Sequence, residues 1–178
     1  MTLLRRIAAF AVLFALGGAQ GAYAQATATE IAAGTGTIFR PIVLSKNTDL
    51  SFGTVVRPIT GSGTITVDPA TGDRTVDGAA AGINPGSGGA AARATFTVGG
   101  EGGQAFSISV PPDVTMTRSG GAETMVATLN PTATTGALSN SLGNNGSATF
   151  GVGGVLAVTS ATTSGAYSGS FVVTVQYN

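Results

Sequence analysis

The sequence has no cysteine and no histidine, and only 9% of its 178 residues are charged, against about 25% in ordinary globular proteins. Lack of cysteine excludes disulfides, which an exported domain of this size does not need. Lack of both residues removes the commonest general base, the thiol nucleophile and the usual zinc ligands together. The remaining acids and bases form no catalytic pattern. Ser45-Lys46 is adjacent rather than spaced as Ser-x-x-Lys, and nothing in the spacing pairs Glu101 with Glu123 as glycosidase carboxylates. The expectation is a protein that is not an enzyme and carries no cofactor.

Long apolar runs are also scarce. The longest near the start, Ile7 to Leu16, is roughly half the 20 residues a membrane-spanning helix needs. It follows Arg5 and Arg6 and precedes the small-residue site Ala22-Tyr23-Ala24, the order that signal peptidase reads. Residues 1–24 are therefore predicted to be a signal peptide cut between Ala24 and Gln25, giving an exported product without stable membrane insertion. Cleavage leaves 178 − 24 = 154 residues, the size of one domain. The eight basic residues then become six against eight acidic ones, a net charge of −2. No basic patch remains for phosphates, which argues against nucleic acid as a partner.

What is present is hydroxyl, glycine and β-branched side chains. An apolar fraction of 43%, gathered in short Val, Ile, Phe and Thr runs, is too high for a disordered chain. Glycine, proline, asparagine and aspartate separate the runs, a pattern of short strands joined by turns. About nine strands are expected, making a sandwich or barrel: 38–44, 50–56, 63–67, 92–98, 105–110, 124–129, 148–152, 155–159 and 169–177. Residues 68–91 read as a long loop with room for a short hairpin at Arg74 to Val76. Asp68, Asp73 and Asp77 in that loop are weak candidates for calcium, though ordinary turn chemistry accounts for them. The glycine clusters at 99–103 and 151–154 precede no helix and read as hairpin loops or bulges rather than phosphate cradles.

Two segments stand apart. Residues 25–37 alternate small residues with threonine and form an extended arm with little to bury; residues 38–178 form the sandwich. At the other end, Tyr167, Gly169, Phe171, Val173, Val175 and Tyr177 occupy alternate positions of one strand, and the residues between them are mostly polar.

A glycine fourteenth from the end, Gly165, and a penultimate tyrosine, Tyr177, with alternating apolar residues between, resemble the C-terminal motif of chaperone–usher pilins. Leu50-Ser51-Phe52-Gly53, Phe96 to Gly100, Phe106 to Pro111, Phe150 to Leu156 and the C-terminal stretch are together similar to domain-of-unknown-function family 4402, small exported bacterial proteins of pilin-like type. The resemblance implies an immunoglobulin-like, pilin-like β-sandwich that lacks its last strand. It also implies passage through the periplasm to the cell surface, with a periplasmic chaperone, an outer-membrane usher and other copies of itself as partners. Gly165, Tyr167, Phe171, Val173, Val175 and Tyr177 would line the acceptor groove, and Ala26, Ala28 and Ile31 on the arm would donate, by β-strand addition. Alanine is a poor donor, since at about 0.8 kcal/mol per CH₂ it gives up about 2 kcal/mol against leucine. The alternative is a self-contained secreted binding module or adhesin with its ligand site on loops such as 68–91.

Overall fold

A computed structural model of the chain describes residues 27–82 and 89–178; the predicted signal peptide with its cleavage site at Ala24 and Gln25, and Ala26 of the arm, lie outside the described residues. Residues 27–36 fall in one unit and Thr37–Asn178 in another. In the first, no residue is in a strand and every side chain is exposed, Ile31 completely.

The second unit is all β. Its thirteen strands among the described residues are β1 (Val43–Thr48), β2 (Val55–Val56), β3 (Ser62–Val67), β4 (Arg74–Gly78), β5 (Ala81–Gly82), β6 (Ala94–Glu101), β7 (Ala105–Ser109), β8 (Asp113–Arg118), β9 (Thr124–Pro131), β10 (Thr135–Ala137), β11 (Asn145–Thr159), β12 (Tyr167–Ser168) and β13 (Thr174–Tyr177). All pairings are antiparallel. The main sheet runs β1-β6-β11-β9-β8-β12, with the β3–β4 hairpin attached to β11; a second sheet runs β10-β7-β13, and β2 pairs with β5. The fold is a β-sandwich, as the short-strand pattern predicts.

The core follows from alternation. On β3 and β6 every second side chain (Ile65, Val67, Phe96, Val98) is buried while the residues between are half-exposed. Phe96 lies directly across from Phe150 on β11, and the two rings stack with centroids 5.2 Å apart.

Four expectations on strands need correction. The predicted strand at 38–44 begins only at Val43: Pro41 has no N–H for a ladder, and Ile38 is almost fully exposed. The predicted strand at 50–56 reduces to an isolated bridge between Ser51 and Ala92 and the two residues of β2, because Gly53 turns the backbone at φ 71°. The pieces 148–152 and 155–159 are one strand, β11, which pairs with β6 along Asn145–Val152 and with β3 along Gly154–Thr159, with β9 on its opposite edge at Val152–Leu156. Finally, the predicted strand 169–177 begins only at Thr174, and a separate short strand, β12, precedes it. β12 pairs with β8 and β13 with β7, but the residues between them face Pro111-Pro112, which have no amide hydrogens to offer. Strand β8 is an element the pattern missed: only Val114 and Met116 are apolar in a run of Asp, Thr and Arg. The loop predicted at 68–91 contains the hairpin strand β4, paired with β3 from Gly63↔Gly78 to Val67↔Arg74.

Candidate functional site

The C-terminal alternation survives in three dimensions with one change of degree. Phe171, Val173, Val175 and Tyr177 all pack against the core, yet none is fully buried, while Val172, Thr174 and Gln176 between them are exposed. Elsewhere in the sandwich the inward side chains of β3, β6 and β11 are closed off from solvent. The difference is that β13 pairs with β7 on one edge and, among the described residues, with no strand on the other. Strand β1 is likewise an edge, paired among the described residues only with β6, and its inward residue Leu44 and the preceding Ile42 are also left half-covered.

These two edges border one seam. At one end the Phe39 ring meets the Tyr177 ring edge-on with centroids 5.9 Å apart, and the Tyr177 hydroxyl donates to the Arg40 carbonyl at 3.0 Å. Apart from that seam, residues 51–57 and 162–167 bracket a cavity of about 520 Å³. Its apolar wall includes Met116, Met125, Leu156 and Val158, and Thr163 and Tyr167 are among the hydroxyl-bearing side chains that line it. Arg57 ties the two sides together there, its Nη1 donating to the carbonyls of Ser160 and Thr162 at 3.1 and 3.0 Å.

Gly165 and Tyr177, the ends of the C-terminal motif, each have a local physical cause. Gly165 has φ 153°, and a Cβ there would come within 2.7 Å of the Arg118 side chain, so the chain lies flat on that arginine only as glycine. Tyr177 places its hydroxyl over Gly100, where it accepts from the Glu101 amide at 2.7 Å while donating to Arg40. Tyr177→Phe therefore orphans the Glu101 amide, and a loss of about 1–2 kcal/mol in urea unfolding is expected; a loss near zero would mean that water replaces the hydroxyl.

Beside Tyr177 is a cluster that the sequence pattern did not reveal. Glu101 is 2% exposed, and its Oε2 accepts from Arg40 Nη1 at 2.9 Å and from the Arg40 amide at 3.3 Å. Its other oxygen takes the Gly143 amide in a short hydrogen bond, and Arg40 Nη2 returns to the Gly143 carbonyl at 3.0 Å. The Gly143 amide, assisted by Arg40, holds the Glu101 carboxyl below the usual range although burial works in the other direction. Glu123 is engaged elsewhere, with Arg118 at 2.8 and 3.0 Å, which also lowers its pKa. The two glutamates thus serve separate arginines.

The aspartates considered for calcium are not gathered. The Asp68 carboxylate accepts from the Ala70 and Thr71 amides at 2.6 and 2.8 Å, which lowers its pKa and closes the turn before β4, whereas Asp77 stands in the ladder opposite Thr64. Among the described residues no three acidic, histidine or cysteine side chains lie close enough to hold a metal. The glycine cluster at 99–103 carries the end of β6 into its turn, and the cluster at 151–154 is interior strand. Among the described residues no helix is long and apolar enough to cross a membrane. Of the donor residues expected on the arm, Ala28 and Ile31 are both exposed.

No curated protein and no solved structure matches the chain. The model of the domain of unknown function DUF4402 matches residues 42–177, from the residue before β1 to the last tyrosine of β13, and the chain belongs to that family.

Proposed function

We propose that this protein is an exported structural subunit of a surface fibre, whose C-terminal edge accepts a strand donated by another copy. The supporting observation is the half-covered apolar row of Phe171 and Val173, which lie just before β13, and Val175 and Tyr177 on β13, whose outer edge is unpaired among the described residues. A free edge over exposed core invites pairing with any extended chain. An incoming strand would meet both needs, supplying backbone partners to β13 and alternate side chains to the seam. Before assembly a periplasmic chaperone would fill the same place, and an outer-membrane usher would pass the subunit outward. In this reading Gln25 to Thr37 is the donor, and cleavage after Ala24 frees its end.

Deletion of Gln25 to Thr37 tests the reading. The shortened protein should stay monomeric, and adding a peptide of residues 25–37 should raise its Tm. At a hundred times Kd the gain is about 2.7 kcal/mol, or about 5–10 °C for a domain of this size. A shortened protein whose Tm ignores the peptide would instead be a self-contained module, the alternative of a secreted adhesin.

A further inference from the structure

Away from the seam, the sandwich offers a site of a different kind. We infer that the cavity between residues 51–57 and 162–167 binds a small amphipathic carboxylate, an unbranched fatty acid, with its head on Arg57 and its chain along the apolar wall. Strand donation plays no part in this, since no residue of β1 or β13 lines the cavity.

The head follows from how Arg57 is held. It is the single charged side chain among the described residues lining the cavity, and no carboxylate lines it. Its Nη1 gives both hydrogens to backbone, to the carbonyls of Ser160 and Thr162 at 3.1 and 3.0 Å. That anchorage fixes the guanidinium and leaves Nε and Nη2 without a protein partner among the described residues. These two donors form the edge that grips a carboxylate through parallel hydrogen bonds. Arg118 uses the same edge on Glu123, with Nε at 2.8 Å and Nη2 at 3.0 Å. Arg40, Lys46 and Arg118 each meet a carboxylate of their own chain, whereas Arg57, among the described residues, meets none. One such edge matches the two oxygens of a monoanion. A phosphate carries more charge than this, and no second cation lines the cavity to meet it.

The chain follows from the rest of the lining. Leu156 and Val158 are buried, and Met116 and Met125 are half-buried. Methionine adapts its unbranched thioether to the shape of a flexible neighbour. The volume of about 520 Å³ lies within the range of about 300–1,000 Å³ typical of small-molecule sites, which are likewise mostly apolar with a few fixed polar groups. A peptide ligand would need a strand edge for its own amides and carbonyls. The loops bracketing the cavity supply only β2 and β12, two residues each, too short for such a ladder. An acyl chain has no backbone polar groups to satisfy.

The methionines also provide the test. Residues 25–178 contain two, Met116 and Met125, and both line the cavity. In the full exported chain carrying isotope-labelled methionine methyl groups, decanoate below its micelle-forming concentration should shift both methyl signals saturably. Decanol, which has the same chain without the charge, should bind at the same place about tenfold or more weakly. Arg57→Gln should weaken decanoate about ten- to a hundredfold and leave decanol within about threefold, so that decanol binding proves the variant's cavity intact. Methyl signals that ignore decanoate overturn the site. Equal decanoate affinity in Arg57→Gln and wild type overturns the head. Loss of both ligands in Arg57→Gln would mean that the arginine only props the two loops, which overturns the head as well. A peptide with apolar residues before a free C-terminal carboxylate that binds more tightly than decanoate would overturn the acyl assignment.

Discussion

Gly153→Ala should cost about 3 kcal/mol of stability, at the upper end for overpacking a core, and lower the Tm by about 6–12 °C. Gly153 lies in β11 where Phe150, Gly151, Val152, Gly153 and Gly154 are buried in succession, so both faces of the strand are covered. An ideal Cβ on Gly153 would sit 2.7 Å from the Pro69 nitrogen and closer still to the Val67 carbonyl oxygen. Those are backbone atoms, and they cannot rotate away as the tip of a side chain would. Moving them means shifting the end of β3 and the turn that the Asp68 carboxylate closes on the Ala70 and Thr71 amides. Gly61→Ala is the matching control. Gly61 has φ 78° but nothing within 4 Å of a Cβ, so only backbone strain of about 1–2 kcal/mol is expected. Chemical denaturation of both variants separates close approach from strain; equal losses would mean that the 67–69 backbone yields easily.

The same glycine shows why part of the fold was hard to read in the sequence. Gly153-Gly154 between two apolar runs has the composition of a hairpin turn, and local chemistry gives no sign that another segment of backbone crosses above it. Nor does the run 167–177 announce its own interruption, because the prolines responsible sit between the neighbouring strands β7 and β8 at 111 and 112. By contrast, the alternation of Phe171, Val173, Val175 and Tyr177 is a property of one continuous stretch, so its inward face could be identified directly. What alternation could not reveal is that this face stays half-covered: that depends on β13 and β1 both being edges, a fact of sheet order. Arg40, Glu101 and Gly143 were illegible for the same reason. They are separated by 61 and 42 residues, and only the ends of β6 and the neighbouring turns bring them together. The one available hint was an acid inside a glycine cluster, where neighbouring backbone could approach it closely.

Glu101→Gln should lower the Tm by several degrees at neutral pH, and the gap to the wild type should close as the solution is acidified. Oε1 of Glu101 faces the Gly143 amide and Oε2 faces Arg40, so whichever way a glutamine amide is turned, its NH₂ meets a donor. The side chain is almost wholly buried, which leaves little room for water to repair the mismatch. The pH dependence follows from the lowered pKa of Glu101. A carboxyl held below its unfolded value contributes stability above about pH 4 and loses that contribution as the pH falls through the folded value. Glutamine has no such contribution to lose, so the two melting curves converge in acid. Asp68 and Glu123 are shifted in the same direction but are present in both proteins, and their effects cancel in the difference. A gap that stayed constant down to about pH 3 would mean that the carboxylate charge adds nothing beyond its shape. Combining Glu101→Gln with Arg40→Ala should cost less than the sum of the two single changes, because both break the same ion pair. Arg40 also receives the Tyr177 hydroxyl on its carbonyl, so this pair and the last aromatic of the C-terminal strand hold the same end of the seam. Loosening Glu101 should therefore increase hydrogen exchange at the backbone of Thr174 to Tyr177 before it affects β3.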